Sequence, residues 1–348
     1  MTDLWTKLKN SGKTIVMYGM GNGADKIADE LERRGMQVSA YFASDGFVRG
    51  QSFRGLRVMS FDEVKSLYSD FVILVSFASQ LPDVMERIYA LDEAYEVYAP
   101  DVPVVGGRVF DLEFYREHEE EILKARELFA DEESTTVYDN IVKYKLTGEL
   151  KHLRASETTP EAVLASVQRP DRYKVCADLG AYNGDSVREF MRSFPALSRV
   201  ISLEPDRRNY KKLCRFVEEA GLSFVECHNC AAWDSDGEVA FSQSGNRNSR
   251  AGEGRGLVAV RSLDSILQGD RVDYIKYDVE GSEMEALTGS LASIRRYTPD
   301  LLVSLYHRNE DIFRLPLFLH SINPEYRFYL RRFPYIPAWD LNLYAIAP

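Results

Sequence analysis

The sequence predicts an α/β protein with two doubly wound domains joined by a helical connector. Two glycine-rich turns, each set between a short apolar run and a helical pattern, open the two domains near residues 14–33 and 174–190. Short apolar runs then alternate with helical patterns, as in a parallel sheet covered by helices. Because 348 residues suit two domains better than one, we expect domains over 1–108 and 171–348, with the connector over 109–170.

The composition is that of an ordinary globular chain and limits its partners. Hydrophobic residues make up 45% of the chain, and the formal net charge is −11. Nucleic-acid binding needs clustered lysine and arginine, so an acidic chain argues against it. The N-terminus lacks the apolar core of a signal peptide, and no run of about 18 apolar residues is present. We therefore expect a cytoplasmic protein with no membrane span and no nucleic-acid partner.

Four cysteines are too few for a disulfide framework in a chain of this length. Cys227 and Cys230 form a C-x-x-C pair, but neither a second pair nor a suitably spaced histidine pair accompanies them. Both fall in a predicted buried strand. We interpret them as core cysteines and assign no metal site to the chain.

The first domain opens as strand, glycine turn, helix and strand, over residues 14–18, 19–24, 25–33 and 37–42, with Asp45 following. This order, with G-M-G-N-G-A in the turn, indicates a Rossmann-like unit with a G-x-G-x-x-A form of the dinucleotide fingerprint. Further strands are predicted at 71–77 and 95–99.

Several interpretations of this first domain stay open. A nucleotide or nucleotide-sugar binds over the turn from Gly19 to Gly23, or the glycines serve only chain geometry. In the second case the domain would support interaction, for example in a homo-oligomer. A further alternative is an NAD-dependent enzyme that uses the same turn.

The connector and the second domain follow the same alternation of elements. Helices are predicted at 113–129 and 136–146, and another begins at Pro160 with Thr159 as its cap. The second domain has predicted strands at 175–177, 199–203, 223–230, 239–242, 257–261, 274–277 and 301–306. It ends in a predicted antiparallel hairpin, 327–330 with 341–346, and a helix is predicted over 282–291.

Three strands of the second domain end near an acid, namely Asp178, Glu204 and Asp278. Such strand ends converge on one crevice in a doubly wound sheet. Glu204 suits a bidentate contact with two ribose hydroxyls, Pro205 suits the flat face of an adenine, and Asp178 suits a positive group. Since no phosphate-binding lysine follows Gly180 and its turn, S-adenosylmethionine fits this pattern better than NAD.

Three blocks of the second half together resemble the FkbM family of methyltransferases. They are D-L-G-A-Y-N-G-D at 178–185, E-P-D at 204–206 and, most specifically, I-K-Y-D-V-E-G-S-E at 275–283. The resemblance extends over about residues 125 to 347. It implies a class I methyltransferase fold, with the N-terminal Rossmann-like part as an accessory domain, and S-adenosylmethionine as cofactor. It also implies O-methylation of a sugar, a glycan such as a polysaccharide, or a glycosylated metabolite.

The resemblance and the strand-end pattern together assign the candidate residues. Cofactor binding is expected of Asp178, Gly180, Asn183, Gly184, Glu204 and Pro205. Catalysis is expected of Asp278, His307 and Glu280. His307 is the better general base because an unperturbed imidazole titrates near neutrality. Family members often carry a glutamate shortly before this histidine, and Ser304 stands there instead, so the base is left open.

The remaining predictions concern neighbours of these residues. Glu283 is interpreted as an acid favoured at a helix N-terminus, and Lys276 as the buried partner of a carboxylate. Asp278, Glu280 and Asp311 have oxygens that suit a divalent cation, but their spacing follows no metal-binding rule. The loop 242–255 is either a lid over the acceptor or a plain surface loop. The alternative to an enzyme is a non-catalytic nucleotide- or nucleotide-sugar-binding scaffold.

Overall fold

The N-terminal part of the chain forms one mostly parallel sheet. The computed structural model describes residues 2–242, 250–251 and 256–348. The sheet contains the strands β1 (Thr14–Tyr18), β2 (Ala40–Phe42), β3 (Ser52–Phe53), β4 (Leu56–Met59), β5 (Phe71–Val75) and β6 (Glu96–Tyr98). Their order is β3-β4-β2-β1-β5-β6, and the hairpin of β3 with β4 is antiparallel. The predicted parallel strands are confirmed, β1 with the predicted bounds and β2, β5 and β6 with shorter ones, whereas the hairpin was not predicted.

Helices cover this sheet and continue into the connector. The sheet is accompanied by α1 (Leu4–Ser11), α2 (Asn22–Arg33), α3 (Phe61–Leu67) and α4 (Pro82–Ala94). The connector helices are α5 (Leu112–Arg126), α6 (Glu132–Thr147), α7 (Leu150–Arg154) and α8 (Pro160–Ser166). The predicted start of α8 is confirmed, because the hydroxyl of Thr159 accepts a hydrogen bond from the backbone N–H of Ala162 at 3.2 Å.

The C-terminal part repeats the alternation of strands and helices. Its strands are β7 (Val175–Leu179), β8 (Arg199–Leu203), β9 (Val225–His228), β10 (Ala231–Ala232), β11 (Gly237–Ser242), β12 (Arg250–Ala251), β13 (Gly256–Arg261), β14 (Tyr274–Tyr277), β15 (Asp300–Ser304), β16 (Arg327–Arg332) and β17 (Leu341–Ile346). Its helices are α9 (Asp185–Ser193), α10 (Arg207–Glu219), α11 (Leu263–Leu267), α12 (Glu283–Thr288), α13 (Leu291–Tyr297) and α14 (Asp311–Ile322).

The main C-terminal sheet has the strand order β16-β17-β15-β14-β7-β8-β9. The strands from β15 to β9 in this order are parallel, and β17 is antiparallel to both β15 and β16. The chain winds outward in both directions from the β7–β14 pair, so a crevice forms at the carboxyl ends of these two strands. The predicted closing hairpin is confirmed, although β17 is an inner strand and only β16 lies at the edge.

The helix predicted over 282–291 is divided into α12 and α13. The break falls at Gly289, where a Cβ atom would lie 1.9 Å from the backbone carbonyl oxygen of Trp233. Close packing of this turn against the strand region around Trp233 therefore ends the first helix.

One core joins the two halves of the molecule. A single cluster of buried apolar side chains includes Ile73 of the N-terminal sheet, Tyr144 of the connector and Leu343 of the C-terminal sheet. Within the connector, α5 packs on α14 and α6 packs on β16. The C-terminal crevice is consequently held in a fixed position relative to the N-terminal sheet.

Candidate functional site

A cavity of about 400 Å³ opens at the carboxyl ends of the central C-terminal strands. Five of the nine predicted site residues line it: Gly180, Glu204, Pro205, Asp278 and Glu280. The other four, Asp178, Asn183, Gly184 and His307, are not part of its wall. The structure therefore brings two of the three predicted strand-end acids, Glu204 and Asp278, into one cavity wall, whereas the third, Asp178, lies outside it.

Gly180 allows the ends of β7 and β14 to approach each other closely. Its φ is +92°, and a Cβ atom there would lie 1.9 Å from the carbonyl oxygen of Asp278. Gly184, with φ +88°, precedes α9, and a Cβ atom would lie 2.7 Å from the ring of Phe216. Both glycines are thus needed by the geometry of the turn, because only glycine combines this backbone conformation with this proximity.

Glu204 is held with its carboxylate facing the cavity. One carboxylate oxygen accepts a hydrogen bond from the backbone N–H of Tyr182, and the other accepts one from the N–H of Asp206, both at 2.8 Å. Burial raises the pKa of Glu204 to about 8, although these two hydrogen bonds oppose the shift. In the ionised form each oxygen keeps a second lone pair and can accept another hydrogen bond, and a positively charged ligand would favour that form.

Asp178 lies behind the cavity wall and faces a lysine. It is fully buried, and the ammonium nitrogen of Lys276 lies 3.6 Å from its Oδ1 atom and 3.3 Å from Oδ2 of Asp278. Burial raises the pKa of Asp178 to about 6, and the charge of Lys276 limits that rise. The expected pairing of Lys276 with a carboxylate is confirmed. Asp178 acts on the cavity through this lysine, since its own oxygens do not reach the wall.

Asp278 is the carboxylate most exposed to the cavity at the end of β14, with 30% of its side chain accessible. Its Oδ1 atom accepts a hydrogen bond from the hydroxyl of Tyr306 at 3.1 Å. Burial would raise its pKa, but the charges of Lys276 and His307 outweigh burial and lower the pKa to about 2. Asp278 is therefore ionised at neutral pH.

His307 follows β15 and is fully buried among carboxylates. Its Nδ1 atom lies 2.8 Å from Oε1 of Glu283, and its Nε2 atom lies 3.6 Å from Oε2 of Glu280 and 3.7 Å from Oδ1 of Asp278. Burial would lower its pKa, but these acids raise the pKa to about 10. The surrounding acids thus favour the protonated imidazole, which has no lone pair for a proton. This surrounding favours Asp278 over His307 as the proton acceptor, and the catalytic role of His307 stays a prediction.

Glu283 has a larger structural part than the sequence predicts. Besides contacting His307, its Oε1 atom accepts hydrogen bonds from the backbone N–H of Val279 at 3.1 Å and of Gly281 at 3.4 Å. The intervening Glu280 has a φ of +54°, which is unusual for a residue other than glycine. The loop after β14 is thus wound around the carboxylate of Glu283, which also holds His307. The G-x-E spacing in the third block was the available signal for this contact.

Other residues of the protein fill the space beside two glycines of the N-terminal turn. A Cβ atom at Gly19 would lie 2.5 Å from the ring of Phe77, and one at Gly23 would lie 2.2 Å from the carbonyl oxygen of Ser76. Lys26 donates to the carbonyl oxygens of Pro103 and Val104 at 2.7 and 3.1 Å. Packing therefore accounts for Gly19, the first fingerprint glycine, and for Gly23, whereas a Cβ atom at Gly21, the second fingerprint glycine, would meet no atom within 4 Å.

A second cavity of about 230 Å³ lies beside this turn, between the two halves of the molecule. Its wall includes Lys26 and Phe77 from the N-terminal half and Trp339 from the C-terminal half. Asp45, the acidic residue that follows the second strand as the dinucleotide fingerprint requires, lies in a short 3₁₀ turn and is not part of that wall. The arrangement gives no added support to a dinucleotide site.

Metal-ligand clusters and membrane-spanning helices are both absent from the described residues. No group of three or more His, Cys, Asp or Glu side chains in 2–242, 250–251 and 256–348 is arranged to hold a metal ion. Over the same ranges, no helix is long and apolar enough to cross a membrane. The four cysteines are unpaired. Of the two predicted core cysteines, Cys230 is buried, whereas Cys227 is only half-buried. The predicted lid over 242–255 lies almost entirely outside the described residues.

Comparisons with known proteins agree with this geometry. Residues 178–336 match the family model described as the Methyltransferase FkbM domain. The chain is similar to the solved structure of a methyltransferase FkbM from Methylobacillus flagellatus KT, with a TM-score of 0.74 and 23% sequence identity over 96% of this chain and 90% of that one. Comparison with curated proteins gives no match. The predicted class I methyltransferase fold is confirmed, and the similarity spans both halves of the molecule.

Fainter similarities connect the chain to other methyltransferase structures. A SAM-dependent methyltransferase from Aquifex aeolicus has a TM-score of 0.34 and 14% identity, over 53% of this chain and 88% of that one. Fibrillarin from Aeropyrum pernix, solved with natively bound S-adenosyl-L-methionine, has a TM-score of 0.34 and 12% identity, over 53% of this chain and 72% of that one.

Proposed function

We propose that this protein, which carries an FkbM methyltransferase domain over residues 178–336, methylates a hydroxyl group of a sugar or glycan. The protein is an S-adenosylmethionine-dependent methyltransferase of the FkbM type. The O-methylation and the acceptor class are the parts proposed here. They are supported mainly by one observation, the position of the Asp278 carboxylate in the wall of a cavity whose charged side chains are mostly acidic.

The residues of the cavity fit S-adenosylmethionine. Glu204 presents a carboxylate fixed by two backbone N–H groups, and the tight turn at Gly180 leaves backbone accessible beside it. A carboxylate in this position would hold the two ribose hydroxyls, with Pro205 beside it for the adenine. The surrounding acids favour a ligand that carries a positive charge. When bound, this cofactor supplies a methyl group on a positively charged sulfur.

The acceptor hydroxyl requires a group that takes its proton. Asp278 is ionised and accessible from the cavity, so its carboxylate can accept a hydrogen bond from that hydroxyl and orient it. The hydroxyl proton becomes far more acidic as the acceptor oxygen forms its bond to the methyl carbon. A carboxylate with a low pKa can then accept that proton. Tyr306 and Lys276 keep Asp278 in place through their contacts with its two oxygens. His307 offsets the negative charge of the cluster from behind.

The charges of the cavity favour an acceptor without negative charge. Its wall contains six acids, Asp185, Glu189, Glu204, Asp278, Glu280 and Asp340, and two cations, Lys276 and Arg192. A phosphorylated or carboxylated acceptor would be repelled by this wall. A neutral acceptor rich in hydroxyl groups can instead donate hydrogen bonds to the carboxylates. A neutral sugar has this chemistry, which supports the proposed acceptor class.

Methyl transfer to a panel of acceptors tests the proposal. The purified protein is incubated with methyl-tritiated S-adenosylmethionine and, separately, with neutral oligosaccharides, phosphorylated or uronic-acid saccharides, peptides and lipids. We expect label in the neutral saccharides, with mass spectrometry placing the added methyl on an oxygen. Label confined to anionic saccharides, peptides or lipids would contradict the acceptor class. The absence of S-adenosylmethionine binding in calorimetry would favour a non-catalytic scaffold instead.

A further inference from the structure

Gln80 brings the N-terminal half of the chain into the wall of the C-terminal cavity. It is exposed, it lies in the loop between β5 and α4, and it lines the 400 Å³ cavity together with Asp278, Glu280 and Tyr306. The family model that matches this chain begins at residue 178 and does not include it. The cavity wall therefore contains a side chain from outside the methyltransferase domain.

The backbone on both sides of Gln80 is fixed. The N–H of Ser79 donates to the carbonyl oxygen of Ile336 at 2.8 Å, and the N–H of Ile336 donates to the carbonyl oxygen of Ser79 at 2.9 Å. The N–H of Leu81 donates to the hydroxyl of Ser79 at 3.2 Å, and α4 begins at the next residue. The loop is thus attached to the segment between β16 and β17. The backbone of Gln80 therefore has a defined position, although its side chain is exposed.

The strand order indicates which ligand Gln80 meets. Glu204 follows β8 and Asp278 follows β14, whereas Ile336 belongs to the segment before β17. Along the edge of the sheet, Asp278 consequently lies between the candidate cofactor residue Glu204 and the segment of Ile336, to which the loop of Gln80 is hydrogen-bonded. The reacting hydroxyl must lie near Asp278, so the rest of the acceptor extends on the side away from Glu204. Gln80 is on that side.

The chemistry of Gln80 suits a neutral acceptor. Its amide both donates and accepts hydrogen bonds, so it can pair with either role of a sugar hydroxyl. It also adds no charge to a wall that is already acidic. Carboxylates accept but cannot donate when ionised, and an amide supplies donors that the acids of the wall lack.

We propose that Gln80 contacts the methyl acceptor and helps to determine which acceptor is used. The N-terminal Rossmann-like half then completes the acceptor site, in addition to packing against the methyltransferase half. This proposal rests on the proposed function, because it requires that the cavity transfers a methyl group. It does not depend on the acceptor being a sugar.

Steady-state kinetics of Gln80→Ala test the proposal. The acceptor substrate in these assays is the member of the acceptor panel that the parent protein methylates. We expect a three- to tenfold rise in the KM for that acceptor, since one neutral hydrogen bond is lost, with an unchanged Kd for S-adenosylmethionine in calorimetry. Leu81→Ala is the matched control, because Leu81 is 59% exposed and is not part of the wall. It should change neither value.

Gln80→Glu tests the charge and the hydrogen-bond donors of the side chain rather than its size. It keeps the size of the side chain but removes the two donors, and it places one more negative charge in the wall. We expect a further loss in kcat/KM for the same acceptor. An unchanged KM in Gln80→Ala, or an equal loss of S-adenosylmethionine affinity, would overturn the proposal. If the parent labels peptides or lipids, the sugar proposal fails, while the same kinetics with that acceptor still decide the role of Gln80.

Discussion

The charge states of a few buried residues determine what the cavity can do. His307 lies against Glu283 and near both Glu280 and Asp278, so its positive charge lies close to three acids. The ammonium group of Lys276 likewise lies between Asp178 and Asp278 and interacts favourably with both carboxylates. These two cations lower the pKa of Asp278 although the side chain is partly buried, because a carboxylate beside positive charges loses its proton more readily. The chemistry assigned to Asp278 depends on both of them.

The protonation of His307 is directly measurable. Among the five histidines of the chain, burial and the charge of Lys151 lower the pKa of His152, whereas the surrounding acids raise the pKa of His307 to about 10. In a pH titration followed by NMR, we expect His307 to remain protonated to about pH 9, and His152 to lose its proton below pH 6.5. Deprotonation of His307 near pH 6.5 would restore it as a candidate base.

The same shift predicts how stability depends on pH. The folded-state pKa of His307 is raised above its unfolded value near 6.5. Its contribution is therefore complete below about pH 6.5 and is lost as the pH rises through about 10. We expect the free energy of unfolding of the parent to fall over this window, by up to about 1.4 kcal/mol per pH unit from this group. His307→Gln should lack this part of the slope in urea titrations.

Glu204 is the residue on which cofactor affinity should depend most. Because its two oxygens are held by backbone N–H groups, truncation removes an oriented carboxylate without disturbing a side-chain partner. A hydrogen bond contributes roughly 0.5–1.5 kcal/mol, so the loss of two of them in Glu204→Ala should weaken S-adenosylmethionine binding by about tenfold or more in calorimetry. Glu218→Ala, an exposed acid on α10, is the control and should bind as the parent does. Equal affinities for all three proteins would remove Glu204 from the cofactor site.

At the scale of secondary-structure elements, the cavity exists because β7 and β14 end close together. Gly180 makes this possible, since its missing side chain leaves room for the carbonyl group of Asp278. The loop after β14 then turns through Glu280 and Gly281 at positive φ, wrapped around Glu283. The strand ends position the site, and the two loops shape it.

Substitution of Gly180 tests this dependence. In Gly180→Ala the new methyl group would displace the Asp278 carbonyl group, so we expect lost cofactor binding and a melting temperature lower by several degrees. Gly221→Ala is the matched control, because Gly221 also has a positive φ of +64°, but a Cβ atom placed on it would meet no atom within 4 Å. The control should cost only about 1 kcal/mol and should keep cofactor binding. Similar behaviour of the two variants would contradict the packing argument.

The sequence predicts the elements well where the pattern of apolar residues is local. The bounds of β8, β14 and β17 agree with the predicted strands, because apolar runs flanked by polar residues mark buried strands clearly. The break at Gly289 was not predictable, since it depends on contact with Trp233 in a distant part of the chain. For the same reason the two-residue strand β3 and its hairpin with β4 were missed.

The site was predicted in part, and the remainder depends on burial. Strand-end acids are visible in sequence, so Glu204 and Asp278 were placed in one cavity correctly. The raised pKa of His307 was not predictable, because it depends on Glu283 and Glu280, whose distances to the ring no spacing rule specifies. Gln80 carries no signal in the sequence, because it comes from a different sheet and belongs to no motif. Contacts between residues that are distant in the sequence cannot be inferred from local sequence patterns.

At the scale of the whole molecule, the two halves are joined by buried polar contacts as well as by the shared core. Lys145 of α6 donates to Asp101 at 2.7 Å and to Asn309 at 3.0 Å, and its side chain is 4% exposed. The N–H of Val105 donates to the carbonyl oxygen of His307 at 2.9 Å. The segment after β6 thus lies directly against the residues that follow β15. We propose that the predicted domains 1–108 and 171–348 behave as one cooperative unit.

Removal of the charge at Lys145 should destabilise this unit. Lys145→Met leaves the carboxylate of Asp101 buried without its cation, which typically costs about 3–5 kcal/mol. Lys143→Met is the control on the same helix, because Lys143 is exposed, and it should change the free energy of unfolding by less than about 0.5 kcal/mol. Urea titrations followed by tryptophan fluorescence measure both. A loss below about 1 kcal/mol in Lys145→Met would show that the halves are held together by other contacts.

The central claim, that Asp278 takes the proton of the acceptor hydroxyl in this cavity, is tested most directly by single-turnover methyl transfer with Asp278→Asn. The asparagine keeps the size of the side chain but cannot accept a proton. We predict a rate lower by about 10²–10⁴-fold on the acceptor that the parent labels, with S-adenosylmethionine affinity within about threefold of the parent. A rate close to that of the parent, at full cofactor occupancy, would contradict the claim and assign the proton to another group.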